Sequence, residues 1–547
     1  MKIGQMLRPF ILFMMGLALA SCGSREREVD KASAEGILLV GNGTEPKTLD
    51  PQLATGVPEN KIIQALIEGL VSYHPTDSTQ VSPGVAESWE SNDDYTVWTF
   101  NLRDNARWTN GDPVRAQDFV YSWERILTPA LGGEYAQLLY VIKGAEAFHA
   151  GQTDQFDSVG VRAVDDKTLE VTLEGPTPFF PNMLQHYAFY PVNPTAVEAG
   201  GGMTNRQSGW STLENYVGNG PFVLSKWDTN QLVEVVPNPD YWDADAVKLK
   251  GIRFYPIENA KTEETAYKGG RLHITSTVPS EKIPSLKKSM GDQLRIEPYL
   301  GTYFYRINVT RKPFDDVRVR RALNLAIDRK LLTDRVLQGG QIPATGFTPP
   351  GIEGFQTADA VGFDPAEAKR LLAEAGYPDG RGFPSTEILI NTSEAHRKIA
   401  EAIQQMWKEN LGIDVGIYNQ EWKVYLDSQS KLDYDMSRSG WIADYVHPMT
   451  FLEIFTSGNG NNDTGWASDE YDRLIGEARV ATTEESRLSL LSQAEAIFMK
   501  DVPVIPIYWY TRVYLIDPRV KGWSPTLLDN RPYKGVSLEG APATNAS

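Results

Sequence analysis

The sequence predicts an α/β fold divided among two or three domains. Three observations carry that expectation: the length, a mixture of strand and helix signals along the whole chain, and one well-punctuated strand–helix–strand unit in the second half. Without its N-terminal leader the chain keeps about 526 residues, and single cores stop growing near 250–300 residues.

The first segment is not part of the fold. Lys2 and Arg8 supply positive charge, and the apolar run from Phe10 to Ala20 is too short to cross a bilayer, which takes about 20 residues. Residues 1–21 read as a secretory signal peptide. The junction Leu19-Ala20-Ser21-Cys22 resembles a bacterial lipobox, which implies cleavage before Cys22 and lipidation of its thiol. Two or more acyl chains hold a protein firmly to a membrane where one is marginal. Cys22 is the only cysteine, so no internal disulfide can form and stability must come from core burial. Gly23 stands where an aspartate would mark inner-membrane retention in some Gram-negative bacteria, so the choice of membrane stays open. Residues 22–36 then read as the lipidated cysteine and a polar, flexible tether. The rest reads as a soluble body on the periplasmic side of a bacterial membrane.

Further along, Tyr95 to Leu102 is β-branched and aromatic and suits a strand. Asn110-Gly111-Asp112-Pro113 is a turn. Phe119, Val120, Trp123, Ile126 and Leu127 recur at helical spacing, and Pro129 ends that helix. Asp364-Pro365-Ala366-Glu367 reads as a capping box, with Ala368, Leu371, Leu372 and Ala375 as its apolar stripe and Gly376 as its close. Glu387 to Ile390 is a strand, Ser393 caps a helix through Ile399, Ile403, Met406 and Trp407 to Gly412, and Ile413, Val415 and Ile417 alternate as a strand. Such a unit requires parallel pairing, and ligands of open α/β sheets sit beyond the carboxyl ends of the strands. The loops after Ile390, Ile417 and Trp441 are therefore the place to look.

Charge and motif exclude several function classes. The net charge of −18 falls to about −20 once Lys2 and Arg8 leave with the leader, which argues against nucleic acid and anionic membrane surfaces as partners. No G-x-S-x-G elbow, H-E-x-x-H pair or phosphate-binding G-x-x-x-x-G-K-[ST] loop occurs. Asp433 and Asp435 read as a solvated edge, and no cofactor or metal is expected. Thirteen tryptophans and twenty-four tyrosines suit either core packing or a large, partly wet cavity. The chain is expected not to be an enzyme; a hydrolase would show itself by cutting an added peptide.

Several segments share one resemblance. Ala86-Glu87-Ser88-Trp89, Val97 to Arg103, Trp108 to Pro113 and Asp118 to Trp123 resemble the signature region of the family 5 extracellular solute-binding proteins, receptors of peptide-importing ABC transporters. Asn219-Gly220-Pro221-Phe222, Pro239-Asp240-Tyr241-Trp242, Val317 to Leu323, Asn419 to Trp422 and Gly440 to Tyr445 extend it from about Leu39 to the C-terminus. The resemblance implies a two-lobed periplasmic-binding-protein fold (type II, cluster C) with an extra domain in the N-terminal half. Lobe I would combine residues 37–67, 194–295 and 512–547; domain II would be 68–193 and lobe III 296–511. Paired crossings near 295 and 511 would form a hinge.

What the resemblance implies for function is capture of an extended oligopeptide by a monomer, which then docks on the permease subunits of an ABC importer. Asp444 matches the aspartate that accepts the peptide ammonium, and Tyr135 a tyrosine beside it. Val57, Gly440 and Trp441 match positions that touch the ligand main chain. Trp422, Tyr510, His186 and His396 match pocket positions, and Arg438 an arginine near the site. Three departures stand out. Thr55 replaces a glutamate, Gln429 replaces a basic residue that reaches a tripeptide carboxylate, and Gly301 and Ile442 replace a disulfide. Dipeptides, nickel complexes, haem or oligosaccharides remain alternative solutes for this fold, as does a peptide sensor without an importer.

Overall fold

The computed structural model describes residues 26–540; the expected leader and Cys22 lie outside them. Among the described residues, no helix is long and apolar enough to cross a membrane. Three sheets organise the chain. The first orders Ile37–Gly41, Gly251–Tyr255, Leu232–Pro237 and Phe222–Asp228, with its first pair parallel. The second is antiparallel: Ala86–Ser91, Val97–Leu102, Thr168–Thr172 and Val161–Asp165. The third has six strands, in the order Ile342–Pro343, Val504–Leu515, Leu294–Ile307, Met436–Ile442, Thr386–Asn391 and Val415–Gln420.

The second sheet's domain is locked onto the first by buried polar groups. Arg125, on the helix Ala116–Leu127, donates to both oxygens of Asp50 and has no solvent exposure. Glu68 and Asn219 exchange hydrogen bonds through backbone and side chain, and Tyr241 Oη and Trp242 Nε1 both donate to the Glu68 carboxylate at 2.6 Å. A Cβ on Gly220 would lie 2.6 Å from the Leu66 carbonyl carbon, so only glycine lets these segments meet. The motifs around Gly220 and Tyr241 thus hold the segment Leu66–Glu68 in place and do not line the cavity described below.

Two long strands tie the first and third sheets together. Leu294–Ile307 pairs with Val504–Leu515 from Leu294 opposite Leu515 to Pro298 opposite Thr511; the register then breaks and resumes at Thr302 opposite Trp509. Below the break, Leu294, Val513 and Leu515 pack with Leu39 and Leu272; above it, Tyr303, Tyr305 and Ile505 pack with Leu323 and Ile388. One strand pair therefore passes between two cores, with an irregular step between them.

The strand–helix–strand unit forms as the sequence predicts. Thr386–Asn391 and Val415–Gln420 pair in parallel, and the helix Glu394–Leu411 between them ends at Gly412, whose φ is +74°. Other details differ. Tyr95 is a turn residue with φ +57°, because Asn92 and Asp94 take the amide of Thr96 and delay the strand to Val97. Asp364 caps its helix by accepting from Ala366 and Glu367, but the Glu367 carboxylate turns to Arg370 instead of closing a box. Asp433 and Asp435 both grip Arg311. The expected tether is corrected over its second half. Glu28–Glu35 is a helix whose Val29, Ala32 and Ser33 are buried, with Ser33 Oγ 3.0 Å from His273 Nε2 and Asp30 paired with Arg519 at 2.8 Å.

Candidate functional site

Between the lobes lies a cavity of about 300 Å³, at the lower end of the range of ligand pockets. One wall is Met436–Ile442 and the residues after it. This strand pairs with Leu294–Ile307 along its whole length, but with Thr386–Asn391 only at Met436 and Ser437. From Arg438 onward, one edge has no strand beside it. Ala443 donates its N–H to Leu300, so the alternation of the ladder turns the backbone groups of Gly440 and Ile442 toward the open edge. The Arg438 carbonyl points the same way and accepts from Tyr425 Oη and Gln429 Nε2.

Asp444 follows this strand and is 6% exposed. Thr450 Oγ1 donates to its Oδ2 at 3.0 Å, and His186 Nε2 lies 3.3 Å from its Oδ1. That separation would suit an ion pair. Yet burial pushes the His186 imidazole down to about 3 and the Asp444 carboxyl well up, with Glu453 adding to the rise. Nδ1 of His186 accepts from the Ala188 N–H, which places the single ring proton on Nε2. His186 is thus a neutral donor and supplies no counter-charge. Tyr135 packs between His186 and Trp441 with tilted rings, centroids at 4.5 and 5.9 Å.

Arg438 carries the opposite charge into the cavity. Its guanidinium donates to Tyr510 Oη at 2.9 Å and to Asn391 Oδ1 at 3.3 Å, and lies over the ring of Tyr303. Among the described residues no carboxylate stands within ion-pair distance of it. Gln429 is buried in the cavity wall and donates to Tyr425, Ser437 and the Arg438 carbonyl, so its amide is engaged by the strand. Gly301 and Ile442, which stand in place of the cysteines of the family disulfide, are cross-strand partners; the isoleucine covers the glycine.

The facing wall is Thr55 to Pro58, where Gly56 in extended conformation leads into the helix Val57–Leu66. Trp422, which stacks on Tyr425, reaches across to Glu59 Oε1 at 3.4 Å. Nine of the ten residues singled out from sequence line this cavity: Asp444, Tyr135, Val57, Gly440, Trp441, Trp422, Arg438, His186 and Tyr510. His396 does not. It sits behind Tyr303, with Nδ1 3.4 Å from the hydroxyl, and both burial and Arg438 hold its pKa well below the usual value. Sequence reasoning missed Glu134, Lys61 and the pair Arg306–Asp463, which line the cavity, and Thr450, which donates to Asp444, because only the tertiary fold brings them to the site. No group of three His, Cys, Asp or Glu among the described residues could hold a metal ion.

Residues 80–463 match the model of the bacterial extracellular solute-binding proteins, family 5. The chain is 39% identical over 501 residues to the periplasmic oligopeptide-binding protein OppA of Salmonella typhimurium, covering 89% of each. The crystal structure of Haemophilus influenzae OppA in complex with RPPGFSPFR matches with TM-score 0.87 and 38% identity, over 92% of this chain and 99% of that one. The Escherichia coli murein tripeptide binding protein MppA matches with TM-score 0.87 at 37% identity, over 92% and 98% of the chains. Its unliganded open form scores 0.60 at 38% identity, over 92% and 97%. Identity and coverage barely change between those two forms, so the drop reflects lobe placement, and the arrangement described here is the closed one.

Proposed function

The chain belongs to the bacterial extracellular solute-binding proteins of family 5, and from that membership we propose that it captures a short peptide, in extended form, between two closing lobes. Asp444 carries the reading. A carboxylate that is buried without a counter-charge calls for a cation, and a peptide brings one at its amino end. The open edge at Gly440 and Ile442 offers backbone partners to any peptide, the logic of strand addition. Arg438, a cation without an acid, suits the ligand carboxylate. Arg438 and Asp444 are six residues apart, at most about 20 Å of extended chain, which favours ligands of roughly three to five residues. Tyr135 and His186 shape the ammonium end, while Val57, Trp422, Trp441 and Tyr510 line the walls; His396 acts through Arg438.

On this reading the divisions are lobe I at 37–67, 194–295 and 512–547, domain II at 68–193 and lobe III at 296–511, with closure about the irregular step between Pro298 and Thr302. Export, lipid attachment at Cys22 and delivery to an ABC importer complete the proposal. The body binds rather than catalyses.

Titration calorimetry tests it. Free-amine tripeptides should bind the parent chain, and Asp444→Ala should weaken them by about 10- to 100-fold, the worth of one charge-assisted hydrogen bond. N-acetylated peptides should bind the parent poorly. Equal affinity of parent and variant for free-amine peptides would remove the basis for the assignment.

A further inference from the structure

We propose that Glu134 selects peptides that carry a basic side chain at one of their first two positions; this deepens the peptide-capture reading and rests on it. Glu134 lines the cavity, and no donor among the described residues lies within hydrogen-bond or ion-pair reach of its carboxylate. Three cations act on it through space: Lys47, Arg206 and Arg306. Each has another partner. Lys47 pairs with Asp427 at 3.3 Å, Arg306 pairs with Asp463, and Arg206 donates to the carbonyls of Leu131 and Gly132. Two of these cations are paired with other acids and the third is held by carbonyls, so none of them forms an ion pair with the Glu134 carboxylate.

The backbone at Glu134 is fixed, while its carboxylate has no hydrogen-bond partner among the described residues. Its carbonyl accepts from Asn461 Nδ2 at 2.8 Å across the cleft, and a Cβ on Gly460 would lie 2.9 Å from that same oxygen. Burial raises the carboxyl, as expected for an acid without a partner. Its position along the ligand follows from Tyr135. The Tyr135 ring lies 4.5 Å from that of His186, whose Nε2 is 3.3 Å from Asp444, so Glu134, the residue before Tyr135, lines the same end of the cavity as Asp444. If Asp444 takes the α-ammonium, Glu134 is left for a side chain nearby. Lysine and arginine have stems long enough to carry charge from the ligand backbone to the wall.

The test is titration calorimetry on the full chain with Lys-Ala-Ala and Ala-Lys-Ala, each against its norleucine counterpart, which keeps the stem and loses the charge. At one of the two positions lysine should bind about tenfold tighter than norleucine, as for one charge-assisted pair. In Glu134→Gln that ratio should fall to about one. In Glu134→Lys the preference should invert, with glutamate favoured over glutamine at the same position. Equal affinities in the parent, or a lysine preference that survives Glu134→Gln, would overturn the proposal and leave peptide capture intact. Failure of every free peptide to bind would overturn both.

Discussion

A carboxylate buried like that of Asp444, with Thr450 and a neutral His186 as its donors, destabilises the empty closed protein. Burial raises this carboxyl above its unfolded value of about 3.9. Its contribution to stability is therefore present in acid and lost as pH rises through the raised value. Asp444→Asn removes that loss. The ligand-free variant should be more stable than the parent at pH 8, by about 1–3 kcal/mol, and no more stable at pH 4. Scanning calorimetry without peptide reads both values, and an equal difference at the two pH values would refute the assignment. Asp444 was legible in the sequence only through family resemblance. By itself it is one acid among many after a strand, and its burial is a tertiary fact. Glu134 had no signal at all, because its meaning lies in the engagement of Lys47, Arg206 and Arg306 elsewhere.

At the scale of elements, Met436–Ile442 is a strand given half a partner. Gly440 leaves room for Tyr510 over the face of the strand, since a Cβ there would stand 2.5 Å from Tyr510 Oη. Gly440→Ala should weaken peptide binding about tenfold or more by pushing Tyr510 and Arg438 out of place. Adding Tyr510→Phe should recover part of the loss, because the hydroxyl is the obstacle; a double-mutant cycle by calorimetry with no coupling would exclude this. The strand–helix–strand unit beside it was readable because Ser393, Gly412 and an alternating apolar pattern punctuate it locally. Leu294–Ile307 was not: Pro298 and Gly301 interrupt its pattern, and its partner is some two hundred residues away. Glu28–Glu35 was missed because its buried face is only Val29, Ala32 and Ser33, and its support comes from His273 and Arg519.

At the scale of the molecule, closure is held far from the ligand as well as near it. Phe179, in the second domain, stacks on His447 at 4.3 Å and on Tyr445 at 5.9 Å, and Arg487 donates to the Pro176 carbonyl at 2.6 Å. On the proposed division these contacts bridge domain II and lobe III, so opening of the lobes would break them. Phe179→Ala should weaken apparent affinity about two- to tenfold, as expected for losing about 0.5–1.5 kcal/mol of aromatic contact. It should do so equally for every peptide, since Phe179 does not line the cavity. Solution scattering of the empty variant should show a more open average shape. A change in peptide preference would place Phe179 in the site instead.

The docked helix Glu28–Glu35 also limits how far the protein can travel. Only residues 23–27 separate it from Cys22, a link of about 20 Å when fully extended. A folded chain of this length is about 60 Å across by the usual scaling of radius with residue number. With the lipid anchor proposed at Cys22, the protein is moored on a line shorter than its own hull. It can swing but not drift away, and the lobe carrying the helix stays on the lipid side. Its search for a transporter becomes a matter of lateral collision in a plane, set by crowding on the membrane rather than by concentration in the surrounding fluid.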